Sequence, residues 1–253
     1  MEQIIQNNKI LFGALASEAC VNGVWSAEAA GFRLVTTRRE EDGGTCLRME
    51  FTNLSKETIR LDGLRFIQRG GQGDFLATPG PRLRLYREGW TMASAAASVR
   101  YGESDFEVDP GYKPFAVSMP SEYSSDTPNR FSGEHVAVLN DRESGFSVLT
   151  GFVSSADQMT RIVVELGEDG VKEYAIHADT DGIAVDPGET VRSEELLILS
   201  GTDAYALLEQ FASVWGRKMH ARTRDHLPNG WCSWYYYFSN VTENDILENA
   251  AYL

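Results

Sequence analysis

Aromatic side chains that could bind a ligand are concentrated near the end of the sequence, in residues 231–238 (WCSWYYYF). Tryptophan and tyrosine can stack on the C–H face of a sugar ring, and their N–H and O–H groups can bind its hydroxyl groups. A strand that is buried on both faces also needs bulky side chains, so packing is the competing interpretation. The residue types therefore allow saccharide binding here without requiring it.

A second aromatic candidate lies in residues 86–90 (YREGW), where an alternating segment ends at Trp90. The tract of small residues that follows, residues 91–98 (TMASAAAS), predicts a loop. A tryptophan at the tip of a loop has little packing reason to be there. Trp90 is therefore a candidate for contact with a ligand.

The sequence signatures of nucleotide binding, metal binding and nucleophilic catalysis are missing. The glycine cluster at residues 71–73 lacks the third glycine of a dinucleotide fingerprint, and the four histidines share no metal-ligand spacing. Carboxylates are abundant, but nothing in their spacing selects the working pair that glycoside hydrolysis requires. We therefore predict no cofactor, no metal and no catalytic residue within this sequence.

The charge balance limits the partners of the protein. Its 23 Lys and Arg residues against 37 Asp and Glu residues give a net charge of −14 at pH 7. Such a charge repels phosphate backbones and anionic membrane surfaces. We therefore expect neither a nucleic-acid partner nor a membrane partner, whereas neutral or cationic small molecules remain open.

The N-terminal residues and the cysteines indicate a cytoplasmic protein. Residues 1–10 (MEQIIQNNKI) have neither the basic leader nor the apolar core of a signal peptide, and no apolar run approaches the length of a membrane span. The three cysteines, Cys20, Cys46 and Cys232, are an odd number at wide spacing. We interpret them as free, buried thiols in a reducing compartment.

The segments that would position these side chains alternate between apolar and polar residues over most of the first 200 positions. In residues 45–52, Leu47, Met49 and Phe51 would share one face of a strand, and a preceding strand would pair with it through a turn at residues 41–44. Further turns are predicted at Asp62-Gly63 and at residues 141–145, 168–170 and 186–188. Ten or more strands at this spacing predict a large antiparallel β-sandwich.

The pattern changes to helical spacing after residue 200. Thr202 is a natural N-cap for a helix over residues 202–219, whose apolar residues form one stripe. Residues 231–238 then predict a strand, and Thr242 opens a second helix with Asp245 as its capping-box partner. We therefore divide the chain into a sandwich, a connecting helix with linker, and the first unit of a repeating β/α domain, at residues 1–200, 201–227 and 228–253.

The segment GWCSWYYYF at residues 230–238, followed by VTENDILEN, resembles the first strand and helix of the catalytic barrel in α-galactosidases of glycoside hydrolase family 36, the melibiase group. The segments GEHVAVLNDRESGFSVLTGFVSSADQMTRI and REGWTMAS resemble the sandwich of that family. The resemblance implies an all-β fold class, with a large antiparallel β-supersandwich of the galactose-mutarotase type. A linker helix and the first β-α unit of an incomplete (β/α)8 barrel would follow it.

The resemblance also implies an activity and a set of binding residues. Enzymes of this family cleave terminal α-galactosides with retention, through two aspartates on later barrel strands that would lie beyond residue 253. The resemblance implies that Trp234 and Tyr235 line the sugar pocket, and that Trp90 reaches toward it from the sandwich. The match departs at Ala93, where the family often has a second tryptophan, and at Tyr236, where some members have histidine.

We expect the parent protein to be an α-galactosidase and the 253-residue chain alone to be inactive. A carbohydrate is the expected partner. A homo-oligomer is one way to cover the aromatic residues 231–238, which we expect to be extended and packed against another surface. Two alternatives remain open: a non-catalytic carbohydrate-binding or assembly module, and a related raffinose-type transglycosylase.

Overall fold

The computed structural model of the protein describes residues 1–89, 96–105, 127–223, 226 and 230–252. The chain divides into two compact units, Met1–His220 and Ala221–Leu253. The first unit contains all of the described strands and one long helix, and the second unit contains short helical segments.

Fourteen strands in the described part of the first unit form one continuous sheet. They are β1 (Glu2–Gln6), β2 (Lys9–Val21), β3 (Val24–Ser26), β4 (Phe32–Glu41), β5 (Gly44–Asn53), β6 (Ile59–Arg69), β7 (Leu83–Glu88), β8 (Ala97–Arg100), β9 (Arg130–Asp141), β10 (Ser147–Phe152), β11 (Met159–Gly167), β12 (Gly170–Val185), β13 (Thr190–Arg192) and β14 (Leu196–Gly201).

Hydrogen bonds join the strands in the order β1-β2-β6-β12-β11-β9-β10-β14-β5-β13, while β3 pairs with β2, β4 with β5, and β7 with both β8 and β9. Every one of these pairings is antiparallel. The inward faces enclose one apolar core, whose largest fully buried members include Phe12, Phe66, Phe131, Phe152 and Tyr174. The predicted all-β antiparallel sandwich is therefore confirmed.

The first predicted hairpin is also confirmed. Alternation along β5 places Leu47, Met49 and Phe51 in the core. The turn between β4 and β5 lies where the sequence predicts it, because Glu41 pairs with Gly44 across the end of the hairpin. Two further predicted turns connect β9 to β10 and β11 to β12.

The predicted turn at Asp62-Gly63 is wrong, because both residues lie inside β6. The registers of β6 with β12 and with β2 both shift at this point. An extra residue in one strand of a pair forms a β-bulge, which bends the strand and disrupts its alternation. As a result, Leu61 and Leu64 both face the core although they are three residues apart.

One long helix, α1 (Ala204–Lys218), covers the outer face of β10 and β14. Its residues Leu207, Phe211 and Val214 pack against outward-facing strand residues in a second apolar cluster. Gly151 on β10 permits this close approach, since a Cβ at that position would lie 2.5 Å from the ring of Phe211. No helix in the described part of the chain is long and apolar enough to cross a membrane.

The N-cap of α1 is Asp203 rather than the predicted Thr202. Its Oδ1 accepts hydrogen bonds from the backbone N–H groups of Tyr205 at 3.0 Å and Ala206 at 3.1 Å. These bonds satisfy two of the N–H groups that have no partner within the first turn of a helix. The negative carboxylate is also favoured there by the helix dipole.

The C-terminal end of α1 is held to the sheet by Lys218. Its Nζ donates hydrogen bonds to Glu41 of β4 at 2.6 Å and to Glu195 at 2.5 Å, directly before β14. Arg39 binds the same Glu195 at 2.9 Å. Burial works against the charged amine, but the two carboxylates outweigh it and raise the pKa of Lys218.

The second unit contains α2 (Trp234–Tyr237), a 3-10 turn (Phe238–Asn240) and α3 (Glu243–Ala250). The extended conformation predicted for residues 231–238 is therefore wrong. A strand needs a neighbouring strand to bond its N–H and C=O groups, and the described residues of this unit contain none. The backbone bonds locally instead, and the N–H of Tyr237 donates to the carbonyl of Ser233 at 2.8 Å.

The capping box predicted for the last helix is confirmed. The hydroxyl of Thr242 accepts a hydrogen bond from the backbone N–H of Asp245 at 3.3 Å, and the Asp245 carboxylate accepts one from the backbone N–H of Thr242 at 2.9 Å. Two N–H groups at the helix start are thereby satisfied by side chains that are three positions apart.

We predict that Gly151→Ala lowers the free energy of unfolding by about 1–3 kcal/mol, because the new methyl group would overlap the ring of Phe211 and displace α1. Chemical denaturation measures the change. Gly31→Ala is the matched control, since a Cβ at Gly31 would meet only Ser55 at an ordinary 3.8 Å. Equal stability of the two variants would contradict the packing argument.

Candidate functional site

Trp90 lies outside the described residues, so its contact with a ligand stays a prediction. The described part of its segment ends at Gly89, directly after β7. The structure therefore shows β7, which precedes Trp90 in the chain, and the surface around Gly89.

Trp234 and Tyr235 occupy consecutive positions of α2 in the second unit. Successive residues of an α-helix lie about 100° apart around its axis, so the two side chains do not share a face. Trp234 is 59% exposed and its ring centroid lies 4.4 Å from that of Phe238, whereas Tyr235 is 96% exposed. Both residues thus have accessible faces, and their role in sugar binding stays a prediction.

A cleft of about 580 Å³ opens in the first unit where β7 ends. Its size lies in the range of about 300–1,000 Å³ that is typical of small-molecule sites. None of its residues is predicted as a site residue from the sequence. The described residues that define its chemistry are Glu88 beside Gly89, Glu134 and His135 of β9, Asp157 and Gln158 directly before β11, Thr160 of β11, and Trp215 of α1.

A β-bulge brings two successive residues of β9 into this cleft. Consecutive strand residues normally point to opposite faces, yet Glu134 and His135 both line the cleft. The register between β7 and β9 shifts here, from Arg87 opposite Ala137 to Glu88 opposite Glu134. His135 has a φ of 57°, in the left-handed region that residues other than glycine rarely adopt. The bulge at His135 therefore directs the side chains of both Glu134 and His135 into the cleft.

Gly133 allows β7 and β9 to approach each other next to the bulge. A Cβ on Gly133 would lie 2.8 Å from the Cβ of Arg87. An isolated glycine inside an alternating strand is the sequence signal of a bulge or of a close backbone approach. This signal could have pointed to Glu134 and His135, although their burial could not be read from the sequence.

The cleft carries three carboxyl groups, those of Glu88, Glu134 and Asp157. Glu88 and Glu134 lie opposite each other on β7 and β9, and we call them the cleft glutamates. Burial raises the pKa of Glu134 to about 7, with Arg161 opposing the shift and Asp179 and Glu88 adding to it. Burial also raises the pKa of Glu88. Two ionised carboxylates directly opposite each other on adjacent strands repel. Near neutral pH the pair therefore offers both a hydrogen-bond donor and acceptors.

The two arginines that act on Glu134 are paired with other carboxylates. The guanidinium of Arg87 lies 2.8 Å from the carboxylate of the buried Asp105, and Nε of Arg161 lies 3.1 Å from the carboxylate of Asp179. Within the described ranges, neither cleft glutamate has a salt bridge or a side-chain hydrogen bond. Both carboxyl groups are thus left to interact with whatever fills the cleft.

His135 and Trp215 form an aromatic wall of the cleft. Their ring centroids are 4.2 Å apart, and the ring of Phe211 lies 5.8 Å from that of His135. Burial lowers the pKa of His135 to about 4, so the imidazole is neutral at pH 7. Nε2 of His135 and Nε1 of Trp215 are buried without a hydrogen-bond partner among the described residues. Unsatisfied buried polar atoms of this kind are costly.

A second cluster, formed by Glu41, Cys46 and Glu195, places three possible metal ligands within 4.8 Å of one another. It is the only such group that the described residues form. Lys218 already supplies the positive charge there, at 2.6 Å from Glu41 and 2.5 Å from Glu195. Burial raises the pKa of the Cys46 thiol to about 12, and the thiol donates a hydrogen bond to Glu41 at 3.7 Å. We interpret this cluster as the attachment of α1.

Comparison with known proteins supports the fold. No protein-family model matches the sequence. The structure is similar to the galactosidase domain of the α-galactosidase–sucrose kinase AgaSK, with a TM-score of 0.51 and 13% identity over 92% of this chain and 31% of that chain. At this identity the similarity shows a shared fold and does not extend to activity.

Weaker similarities link the chain to two further α-galactosidases. The family 36 enzyme AgaB from Geobacillus stearothermophilus gives a TM-score of 0.43 and 11% identity over 76% of this chain and 24% of its own. The α-galactosidase from Lactobacillus brevis gives a TM-score of 0.43 and 12% identity over 98% of this chain and 38% of its own. The chain therefore spans well under half of the length of each of these solved structures.

We predict that Glu134→Gln stabilises the protein at pH 8 and leaves its stability nearly unchanged at pH 4. In the folded state Glu134 keeps its proton up to about pH 7, whereas the unfolded chain releases it near 4.5. Stability is therefore lost as pH rises between these values, and the amide should recover about 1–3 kcal/mol at pH 8. Denaturation curves at both pH values, with exposed Glu168→Gln as the control, measure the difference. A gain at pH 4 that equals the gain at pH 8 would contradict the assignment.

Proposed function

We propose that this chain is the N-terminal portion of a retaining α-galactosidase-type glycoside hydrolase that acts on terminal α-galactosides. The observation that carries the proposal is the motif GWCSWYYYF directly after a sandwich and helix. The fold of this chain is similar to about a third of a galactosidase domain, so the motif and the fold support the same assignment.

In the proposed parent enzyme, this chain supplies binding groups and no reacting group. One aspartate attacks the anomeric carbon while a second protonates the leaving oxygen, and water later releases the covalent sugar. Both aspartates would lie beyond residue 253. Trp234 and Tyr235 would stack on the sugar and bind its hydroxyl groups. Trp90 would add an aromatic surface from the sandwich, which also supports the barrel.

A second candidate is a non-catalytic carbohydrate-binding module. The cleft favours it, because two unpaired carboxyl groups and an aromatic wall meet there without a partner among the described residues. The two candidate functions predict different activities for a chain that is extended through the barrel. A hydrolase requires turnover once the barrel is present, whereas a binding module requires only affinity.

We further propose a cytoplasmic location. Cys20 and Cys46 are buried free thiols, and free cysteines are typical of a reducing compartment. Cys232 is also free, but it is exposed and not buried as the sequence analysis expected.

The activity prediction concerns an aryl α-galactoside such as p-nitrophenyl α-D-galactopyranoside. We expect no turnover by the 253-residue chain and turnover by a version extended through the barrel. In the extended version, Trp234→Ala should lower kcat/KM by about tenfold or more, because a lost stacking contact of ~1.4 kcal/mol corresponds to that factor.

Tyr205→Ala is the matched control for this assay, since Tyr205 is an 81% exposed aromatic residue on α1. It should leave kcat/KM unchanged. Turnover by the 253-residue chain that disappears with one of its own carboxylates would overturn the proposal. An extended version that folds and shows affinity without turnover would favour the binding module.

We also expect the 253-residue chain to self-associate. Trp234, Tyr235, Tyr236 and Phe238 are each more than half exposed, and contiguous aromatic surface of this kind usually marks a contact site. Light scattering over a concentration series measures the mass. A monomer at all concentrations would contradict the expectation, and Tyr235→Ser should shift any dimer toward the monomer.

A further inference from the structure

We propose that the cleft at the end of β7 and the bulge of β9, which Glu88, Glu134, His135 and Trp215 line, binds a neutral saccharide at a site of its own. This site is additional to the pocket that Trp234 and Tyr235 are proposed to line. The existence of a ligand site follows from the cleft alone, and the choice of a sugar rests on the proposed function.

The first observation is the unpaired state of the cleft glutamates. A carboxyl group that loses water on folding needs a charged or hydrogen-bonding partner. Arg87 and Arg161 are close enough to act on Glu134, but each is paired with its own aspartate. Neither cleft glutamate is bonded to a described residue. A ligand with hydroxyl groups would supply the missing hydrogen bonds.

The second observation is the backbone that places these groups. His135 adopts a left-handed φ of 57° at the bulge, and Gly133 has to lack a side chain because β7 approaches it closely. Conformations of this kind cost about 1–3 kcal/mol each and are concentrated at functional sites. Here the bulge has one consequence for the surface, since it turns Glu134 and His135 into the same cleft.

The chemistry of the walls selects the class of ligand. The described lining residues include no Lys or Arg, so an anion finds no counter-charge. No three metal-ligating atoms of described residues come together in this cleft, which disfavours a metal ion. Carboxyl groups and the Thr160 hydroxyl both donate and accept hydrogen bonds, and the rings of His135 and Trp215 provide an apolar surface. The Gln158 amide is already bonded to the Arg192 carbonyl and the Glu194 N–H, so it contributes a polar wall. A sugar matches both features.

An organic cation is the competing ligand, because carboxylates and an indole also bind ammonium groups. It would bind best where the cleft glutamates are ionised together with Asp157, which also lines the cleft. Burial favours the protonated form of Glu134 instead, and this form donates a hydrogen bond to a neutral hydroxyl group. The observations therefore favour the saccharide, and the cation becomes an outcome of the test.

The test uses ¹⁵N NMR of the indole N–H groups in the full 253-residue chain, titrated separately with methyl α-D-galactopyranoside, raffinose and choline. Trp→Phe substitutions assign the five indole signals. We expect one of the sugars to shift the Trp215 signal in a saturable manner. Glu134→Ala should weaken that binding at least tenfold, whereas Glu168→Gln and Trp234→Phe should leave it unchanged.

Four outcomes would overturn the proposal: a static Trp215 signal with both sugars, a shift that Glu134→Ala leaves unchanged, a shift with choline alone, or sugar shifts confined to Trp231 and Trp234. Circular dichroism checks the fold of each variant. If Glu134→Ala does not fold, Glu88→Gln and Thr160→Val take its place, with the same expected loss of affinity. Hydrolysis by the extended chain is measured separately, so failure of the cleft site is distinguishable from failure of the proposed function.

Discussion

Strand β9 pairs with three other strands, and the arrangement of the sheet around it depends on a change of its pairing partners along its length. Its first half pairs with β11 up to Glu134, and its second half pairs with β10 from Val136 onward and with β7. Strands that pass from one layer of a sandwich to another usually bend at a bulge. His135 is that bend. The cleft lies at this bend, and so do the contacts of His135 with Phe211 and Trp215 of α1.

The same registers align polar side chains across the outer face of the sheet. Six of them lie opposite one another on β7, β9, β11, β12, β6 and β2, in the order Glu88, Glu134, Arg161, His177, Arg65 and Glu18. At the far end the row is satisfied, because Glu18 binds Arg65 at 2.5 Å and Arg69 at 2.8 Å, while Arg65 stacks on Trp25 at 4.0 Å. At the near end the acids outnumber the bases. The cleft glutamates are thus the charged members of this row that form no salt bridge within the described residues.

Sequence periodicity predicts the elements whose local and tertiary preferences agree. The hairpin around Leu47, the stripe of α1 and the Thr242 cap belong to this class, because each is determined by residues that are close in the chain. Asp62-Gly63 predicts a turn from the sequence, because the same residue types favour turns and bulges. Only the pairing of β6 with β2 and β12 determines that the chain forms a bulge here. The sequence did not identify Glu134 as a site residue for a similar reason, because its properties depend on residues that are distant in the chain. Its chemistry comes from burial beside Glu88, which is 46 positions away in the chain.

Carboxylates in this sheet fall into two groups that respond to pH in opposite ways. Burial alone would raise the pKa of Asp141, but hydrogen bonds from Arg82 and Ser144 hold it at about 2. Its contribution to stability is present above its unfolded pKa and is lost as pH falls toward 2. Glu134 lacks such partners, so its folded pKa is raised and stability is lost as pH rises from 4.5 to 7. A carboxylate of the first group holds strands together. One of the second group weakens the fold near neutral pH, so its presence in a cleft is better explained by what it binds than by what it stabilises.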